Sequence, residues 1–283
     1  VPVTPRPARR FVDLSHGQLH YWECTPAEVA DAPPLVLLHA SPLSARSLVP
    51  LAVALASRRR VLALDLPGNG DSEALGTPTP AVGDFVTALA EAVDTLAPGQ
   101  FDLYGNHTGA SMALGLAVRR PGRIRRLVLE GVAIFDDERR ASLLAHGAAG
   151  VAPDRQGCHA LWTWQFVRDS YLFWPWFEPT AENRRALGLP DADVLNERFV
   201  EVIKALGTYH QSHNAAIAHH HEDDLRALND LPTLLLATPG DVLRRATEAA
   251  AALVPSGRFV ELHGGVPGDR GPVLDGWLRR SAT

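Results

Sequence analysis

Four short stretches, residues 34–39 (PLVLLH), 61–66 (VLALDL), 101–104 (FDLY) and 124–132 (IRRLVLEGV), are apolar along their length instead of on alternate residues. Strands of this kind are buried on both faces, so they demand a parallel sheet covered by helices. Helical patterns at 48–57, 82–96 and 111–119 lie between them, the strand–helix alternation of an α/β sheet. Ahead of the first, residues 11–14 and 19–23 flank His16 and Gly17 and predict a hairpin.

The alternation stops near Phe135. From there to about Asp230 the chain reads as helices without a clear strand, with Trp162, Trp164, Phe166, Tyr171, Phe173, Trp174, Trp176 and Phe177 crowded together. The sheet pattern resumes at 233–237 (TLLLA), followed by a helix at 243–253, a strand at 258–263 and a helix around 273–280. The expected architecture is a mostly parallel, eight-stranded α/β sheet with helices on both faces. Its core spans 1–133 and 231–283, and a helical cap spans 134–230.

At 283 residues the chain has room for one large domain with an insertion. Lys and Arg number 27 against 32 Asp and Glu, a net charge of −5 without a basic run, which argues against a nucleic-acid groove or a basic membrane-surface helix. No apolar run approaches the roughly 18 residues of a membrane span. Residues 1–10 carry no apolar signal region and read as an arm before a strand, so a cytoplasmic location is expected. Cys24 and Cys158 lack both disulfide-framework and metal-site spacing and read as buried or semi-buried thiols. No phosphate loop or dinucleotide fingerprint follows a strand, so no cofactor and no metal are expected.

The strongest local signal is Tyr104-Gly105-Asn106-His107-Thr108-Gly109-Ala110, where a strand gives way to a helix and small residues flank one reactive side chain. This is the pattern of a nucleophile elbow, G-x-S-x-G, with His107 at its centre. With His39-Ala40-Ser41-Pro42 after one strand, Asp65 to Ser72 (DLPGNGDS) after the next, and Pro232 to Asp241 (PTLLLATPGD), the chain resembles the α/β-hydrolase superfamily over nearly its whole length.

The resemblance implies a hydrolase with an altered catalytic set. Imidazole can serve as general base or acid, or as a nucleophile through an acyl-imidazole. The opposing readings are a lyase, isomerase or cyclase on the same scaffold, a ligand-binding protein with a dead elbow, and a zinc ligand. Asp241 falls where the superfamily places its acid, with helix capping as the alternative. Glu130, ending a strand, is the rival acid. The superfamily histidine position falls on Pro267, and a shortened loop would bring His263 there instead.

The resemblance also implies an oxyanion hole from the N–H groups of Ser41 and Thr108, with the Ser41 hydroxyl free to face the pocket. His39 reads as structural. Cap residues Trp162, Trp164, Trp174, Trp176, His210 and His213 are expected to line a pocket for an apolar or aromatic carbonyl compound, an ester, a lactone or a substrate split at a C–C bond. His210 and His213 are expected to share a helix face. The run His219 to Asp224 reads as a solvated connector. The expected partner is a small-molecule substrate, without nucleic acid or membrane, in a monomer or homodimer.

Overall fold

A computed structural model describes residues 6–26, 32–263 and 270–280. Eight strands form one sheet: β1 (Ala8–Leu14), β2 (Gly17–Cys24), β3 (Leu35–Leu38), β4 (Val61–Leu64), β5 (Phe101–Asn106), β6 (Ile124–Glu130), β7 (Thr233–Ala237) and β8 (Gly257–Glu261). Their order is β1-β2-β4-β3-β5-β6-β7-β8. Strand β2 runs antiparallel to both neighbours, and the pairs from β4 through β8 are parallel. The predicted hairpin is β1–β2, and each apolar run became a strand.

The helices of the core are α1 (Val49–Leu55), α2 (Val82–Leu96), α3 (Thr108–Arg119), α9 (Arg244–Ala251) and α10 (Arg270–Leu278). Strand alternation assigns the two faces. Leu35 and Leu37 pack with α1 and α10, while Val36 and Leu38 point the other way, into a cluster with α2 and α3. Each fully buried aliphatic side chain contributes about 1.5–3 kcal/mol. Because β3 sits between β4 and β5, the winding direction reverses there. Ligand crevices in open α/β sheets form at the carboxyl ends of strands at such a reversal.

Between β6 and β7 lie α4 (Asp137–His146), α5 (Cys158–Leu172), α6 (Ala192–Lys204), α7 (Tyr209–Ala218) and α8 (Glu222–Arg226). Part of this insertion has its own apolar cluster, including Phe166, Val167, Leu195, Val202 and Tyr209. From Ala215 onward the chain packs instead into the core cluster of the sheet, through Ala216, Leu225 and Leu228. Polar contacts tie insertion to core: Ser41 donates to the Tyr209 carbonyl at 2.9 Å, Thr208 to the Gly68 carbonyl at 2.6 Å, and Ser44 to Glu201 at 2.6 Å.

Two sequence expectations change here. Cys24 is buried, its thiol pushed up to about 11 by burial and the charge of Glu23, but Cys158 is exposed at the start of α5. The connector from His219 is not uniformly solvated. His221 is buried, and its Nε2 shares a hydrogen bond with the Ser111 hydroxyl of α3 at 2.7 Å. Burial, reinforced by His219, Arg140 and His220, pushes its pKa down to about 3. His219 pairs with Asp224 at 2.8 Å.

The folded chain therefore holds His221 neutral at pH values where the unfolded chain protonates it. Stability from this group is intact above the ordinary histidine pKa and is lost as pH falls below it, by about 2 kcal/mol between pH 6.5 and 5. Urea denaturation across that range should show a shallower pH slope in His221→Gln than in the native chain. Equal slopes would reassign the acid sensitivity to other groups.

Candidate functional site

The site is built on one backbone crossing. Strand β5 ends at Asn106 and α3 begins at Thr108, so the chain turns on His107, at φ +48° and ψ −111°. A non-glycine residue in that region costs about 1–3 kcal/mol and persists only where its surroundings impose it. Here they do. A Cβ at Gly109 would stand 2.3 Å from the Leu38 carbonyl oxygen, and one at Gly105 would stand 2.2 Å from the Gly109 oxygen. The His107 N–H donates to the Glu130 carbonyl at 2.7 Å, which anchors the turn to β6.

The imidazole leans over Gly131, where a Cβ would meet its Cδ2 at 2.5 Å. From there Nε2 reaches Oδ2 of Asp241 at 3.0 Å. The Asp241 side chain is nearly buried and the His107 side chain is one-third exposed. Burial alone would lower the His107 pKa. The charge and hydrogen bond of Asp241, with the charge of Glu130, outweigh it and raise the pKa above its ordinary value, while Arg185 opposes them. Burial raises the Asp241 carboxyl, but His107, the Leu243 N–H and Arg185 together hold it below the usual range. With Nε2–H donated to Asp241, a neutral imidazole carries its lone pair on Nδ1. Asp241 also accepts from the Leu243 N–H at 2.8 Å, in the turn before α9, whose N-cap is Leu243 and not Asp241.

Glu130 is close, but its carboxylate bonds other groups than the His107 ring. Its carboxylate accepts from the Tyr104 hydroxyl at 2.7 Å and from both Nε and Nη2 of Arg270, at the first residue of α10. A carboxylate buried at a strand end needs such partners. Burial and the Glu130 charge raise the Tyr104 hydroxyl well above its ordinary pKa, so it stays protonated as a donor. His263 is exposed just past β8 and makes no hydrogen bond to His107 among the described residues. Pro267 lies outside the described residues.

Thr108 opens α3, so its N–H is one of the first-turn donors without an intrahelical acceptor. Ser41 stands in the loop after β3, across the winding reversal. The Ser41 hydroxyl is already committed, because it donates to the Tyr209 carbonyl at 2.9 Å. His39 is structural: its Nε2 accepts from the Leu66 N–H at 2.9 Å, and Nδ1 faces the Ala40 carbonyl at 3.0 Å.

Ser41 also borders a cavity of about 220 Å³ walled by Phe166, Val167, Tyr171, Leu187 and Val202, with Arg185 and Arg198 on its rim. The expected tryptophans are elsewhere. Trp162 stacks on Phe166 at 5.3 Å between ring centres, and Trp176 crosses Phe166 edge-on at 4.8 Å. They border a larger surface depression of about 560 Å³ with His146 and Phe177. Trp164 lies partly exposed against Phe199, and Trp174 is half-buried outside the cavity beside Ser41. Aromatic area went into the insertion's own packing first. His107 borders none of the described cavities; its ring occupies the space over Gly131.

His210 and His213 do share a face, but it packs on residues 147–150 of the insertion. His210 lines a separate cavity with Thr79 and Asn214, and His213 bonds Asn214 at 3.2 Å. Burial lowers both pKa values. Among the described residues, the one cluster with metal-ligand spacing is His20, Asp65 and Asp71. Its carboxylates are already committed: Asp65 to the Ala45 and Asp71 N–H groups, and Asp71 to Arg9 and Lys204.

Gly131, Arg185 and Arg270 carry no signal in the local pattern, and Tyr104 carries none beyond opening the elbow segment. Gly131 directly follows Glu130 and takes φ +74°, and the arginines are distant in sequence.

The reversal-point crevice, the strained strand-to-helix turn and the His–Asp pair define an α/β protein of hydrolase architecture. A family model described as the alpha/beta hydrolase fold matches residues 33–260, and the chain belongs to that family. It is 34% identical over 125 residues to an (E)-2-((N-methylformamido)methylene)succinate hydrolase of Acinetobacter baylyi, a match covering 44% of this chain and 45% of that one. It is 33% identical over 151 residues to a 2-hydroxymuconate semialdehyde hydrolase of a Pseudomonas species, covering 52% and 44%. These matches span less than half the length of the two relatives.

Among solved structures, the enol-lactonase of Burkholderia xenovorans superposes with a TM-score of 0.68 at 20% identity, covering 94% of this chain and 97% of that one. A hydrolase from Pseudomonas aeruginosa gives 0.67 at 21%, covering 95% and 96%. Both show the shared fold.

Proton NMR titration should place His107 above the ordinary histidine pKa of about 6.5. In Asp241→Asn it should fall below that value, because burial remains and the compensating charge is gone. An unchanged titration would mean that Asp241 does not govern the ring.

Proposed function

We propose that the chain is a hydrolase in which His107 and Asp241 form a general-base dyad at the nucleophile-elbow position. The observation that carries this reading is the 3.0 Å Nε2–Oδ2 bond made from a strained turn. A superfamily triad normally connects elbow to acid through a separate histidine. Here the imidazole is on the elbow itself and reaches the acid directly.

In this reading Nδ1 of neutral His107 takes a proton from water, and the hydroxide adds to a substrate carbonyl carbon. The N–H groups of Ser41 and Thr108 receive the developing oxyanion. The tetrahedral species then collapses, and the imidazolium returns its proton to the leaving oxygen or carbon. Base catalysis is favoured over attack by the ring itself, because Nδ1 is crowded by the adjacent Cγ–Cβ bond and Nε2 is committed to Asp241.

The substrate in this reading is a small, largely apolar carbonyl compound housed under a cap formed by the insertion. Phe166, Val167, Tyr171 and Val202 supply its apolar walls. The names of the relatives, hydrolases of a semialdehyde and of a substituted succinate, support hydrolysis over the lyase and isomerase readings.

His107→Ala should lower kcat on any ester, lactone or diketone that is turned over by about 10²–10⁴-fold while KM changes little. The limb of the rate profile at low pH should follow the raised His107 pKa, activity appearing as the ring deprotonates. Rapid-quench mass spectrometry should find no adduct on His107. A trapped acyl-imidazole would convert the base into a nucleophile, and full activity in His107→Ala would end both assignments.

A further inference from the structure

The surface depression of about 560 Å³ on the insertion shares no lining residue with the cavity beside Ser41 and does not include His107. Trp162, Trp176 and Phe177 wall it, with His146 and Glu178 at its rim. The three rings are each partly exposed and His146 is exposed, so a small molecule in the depression reaches them. Their planes cross. Trp176 stands at 89° to Trp162, with 5.8 Å between ring centres, and at 89° to Phe177, with 6.0 Å between them. His146 is tilted against Phe177 at 5.5 Å.

The fixed charge at the rim is negative. Glu178 forms no ion pair among the described residues, and one of its carboxylate oxygens accepts from the Asn183 amide at 3.2 Å, which orients it. Helix α4 ends at His146, so the negative end of its dipole lies at the same rim. The faces of aromatic rings carry the negative end of their quadrupoles. All three features favour a cation.

The acceptors around the depression are largely spent. The Gly147 carbonyl takes the Trp176 indole N–H at 2.9 Å, and the Glu178 carbonyl takes the Asn183 amide at 3.0 Å. A primary ammonium or a guanidinium entering here would give up water for few replacements, and unpaired N–H groups are costly. A quaternary ammonium has no N–H to satisfy. It carries its charge on methyl groups that pack against ring faces, which attract it.

We propose that this depression is a binding site for a small quaternary ammonium compound, with Trp162, Trp176 and Phe177 as its walls and Glu178 as its counter-charge. The site is independent of the His107–Asp241 dyad. One layer of rings separates it from the cavity beside Ser41, since Trp162 stacks on Phe166 at 5.3 Å and Phe166 also walls that cavity.

Titration calorimetry tests the assignment with three probes: choline, neohexyl alcohol, in which carbon replaces the charged nitrogen, and ethanolamine, which keeps the charge without the methyl groups. His146 is the lining group able to carry positive charge, so the titrations are run at about pH 8, well above the ordinary imidazole range. The native chain and His107→Ala should both bind choline at least about tenfold more tightly than either other probe. Glu178→Gln and Phe177→Leu should each weaken choline by about three- to tenfold, because an amide and an aliphatic side chain keep the contact and remove the attraction. Trp176→Leu should abolish binding, and the two rim variants stand in should it not fold. In heteronuclear NMR spectra choline should shift the indole N–H signals of Trp162 and Trp176 first.

Choline and neohexyl alcohol of equal affinity would reduce the depression to an apolar cleft and overturn the proposal, and choline and ethanolamine of equal affinity would reduce it to a point charge with the same consequence. Absence of choline binding would overturn it directly. So would an affinity unchanged in both Glu178→Gln and Phe177→Leu, or shifts confined to Trp22, Trp164, Trp174 and Trp277. Loss of choline in His107→Ala would move the cation to the dyad and end the assignment to the insertion.

Discussion

The structure depends on the close approach of backbone to backbone where β5 hands over to α3. Gly105 faces the carbonyl of Gly109, and Gly109 faces those of Leu38 and His39, at separations that no Cβ tolerates. That contact brings the start of α3 against the end of β3, at the place where the sheet reverses its winding. It also leaves His107 no relaxed conformation. The turn imposes the strain, and the packing of β3, β5 and β6 holds it.

The charges follow from that placement. An imidazole held over Gly131 has one near carboxylate within bonding distance, Asp241, since Glu130 is taken up by Tyr104 and Arg270. The two acids are thereby separated in role. One orients the ring and raises its pKa, and the other joins the end of β6 to the first turn of α10. Arg270 and Glu130 neutralise each other close to the dyad, so the site does not accumulate uncompensated negative charge.

The insertion divides its residues between two tasks. Trp162, Trp176 and Phe166 consolidate a small cluster of the insertion, and the end of α7 together with α8 packs into the core of the sheet. What is left to face the cavity is a modest apolar wall and two arginines. In the order His107, Asp241, Arg185, the groups around the reversal point come from the core turn, the loop after β7 and the insertion.

The sequence by itself determined the sheet. Continuous apolar runs have no stable place except between two layers of helices, and the glycines around His107 mark a turn that larger residues would block. Asp241 came into view only through the superfamily resemblance, which places an acid at that distance beyond a buried strand. Which of Glu130 and Asp241 meets the His107 ring was decided by tertiary structure. Nothing near Glu130 in sequence announces Arg270, 140 residues away, or the inward hydroxyl of Tyr104. The aromatic cluster from Trp162 to Phe177 was visible as composition, but whether a ring lines a cavity or fills a core depends on what packs against it. Arg185 was invisible until the fold brought its charge within range of a carboxylate 56 positions away, because long-range electrostatics leave no periodic mark on the chain.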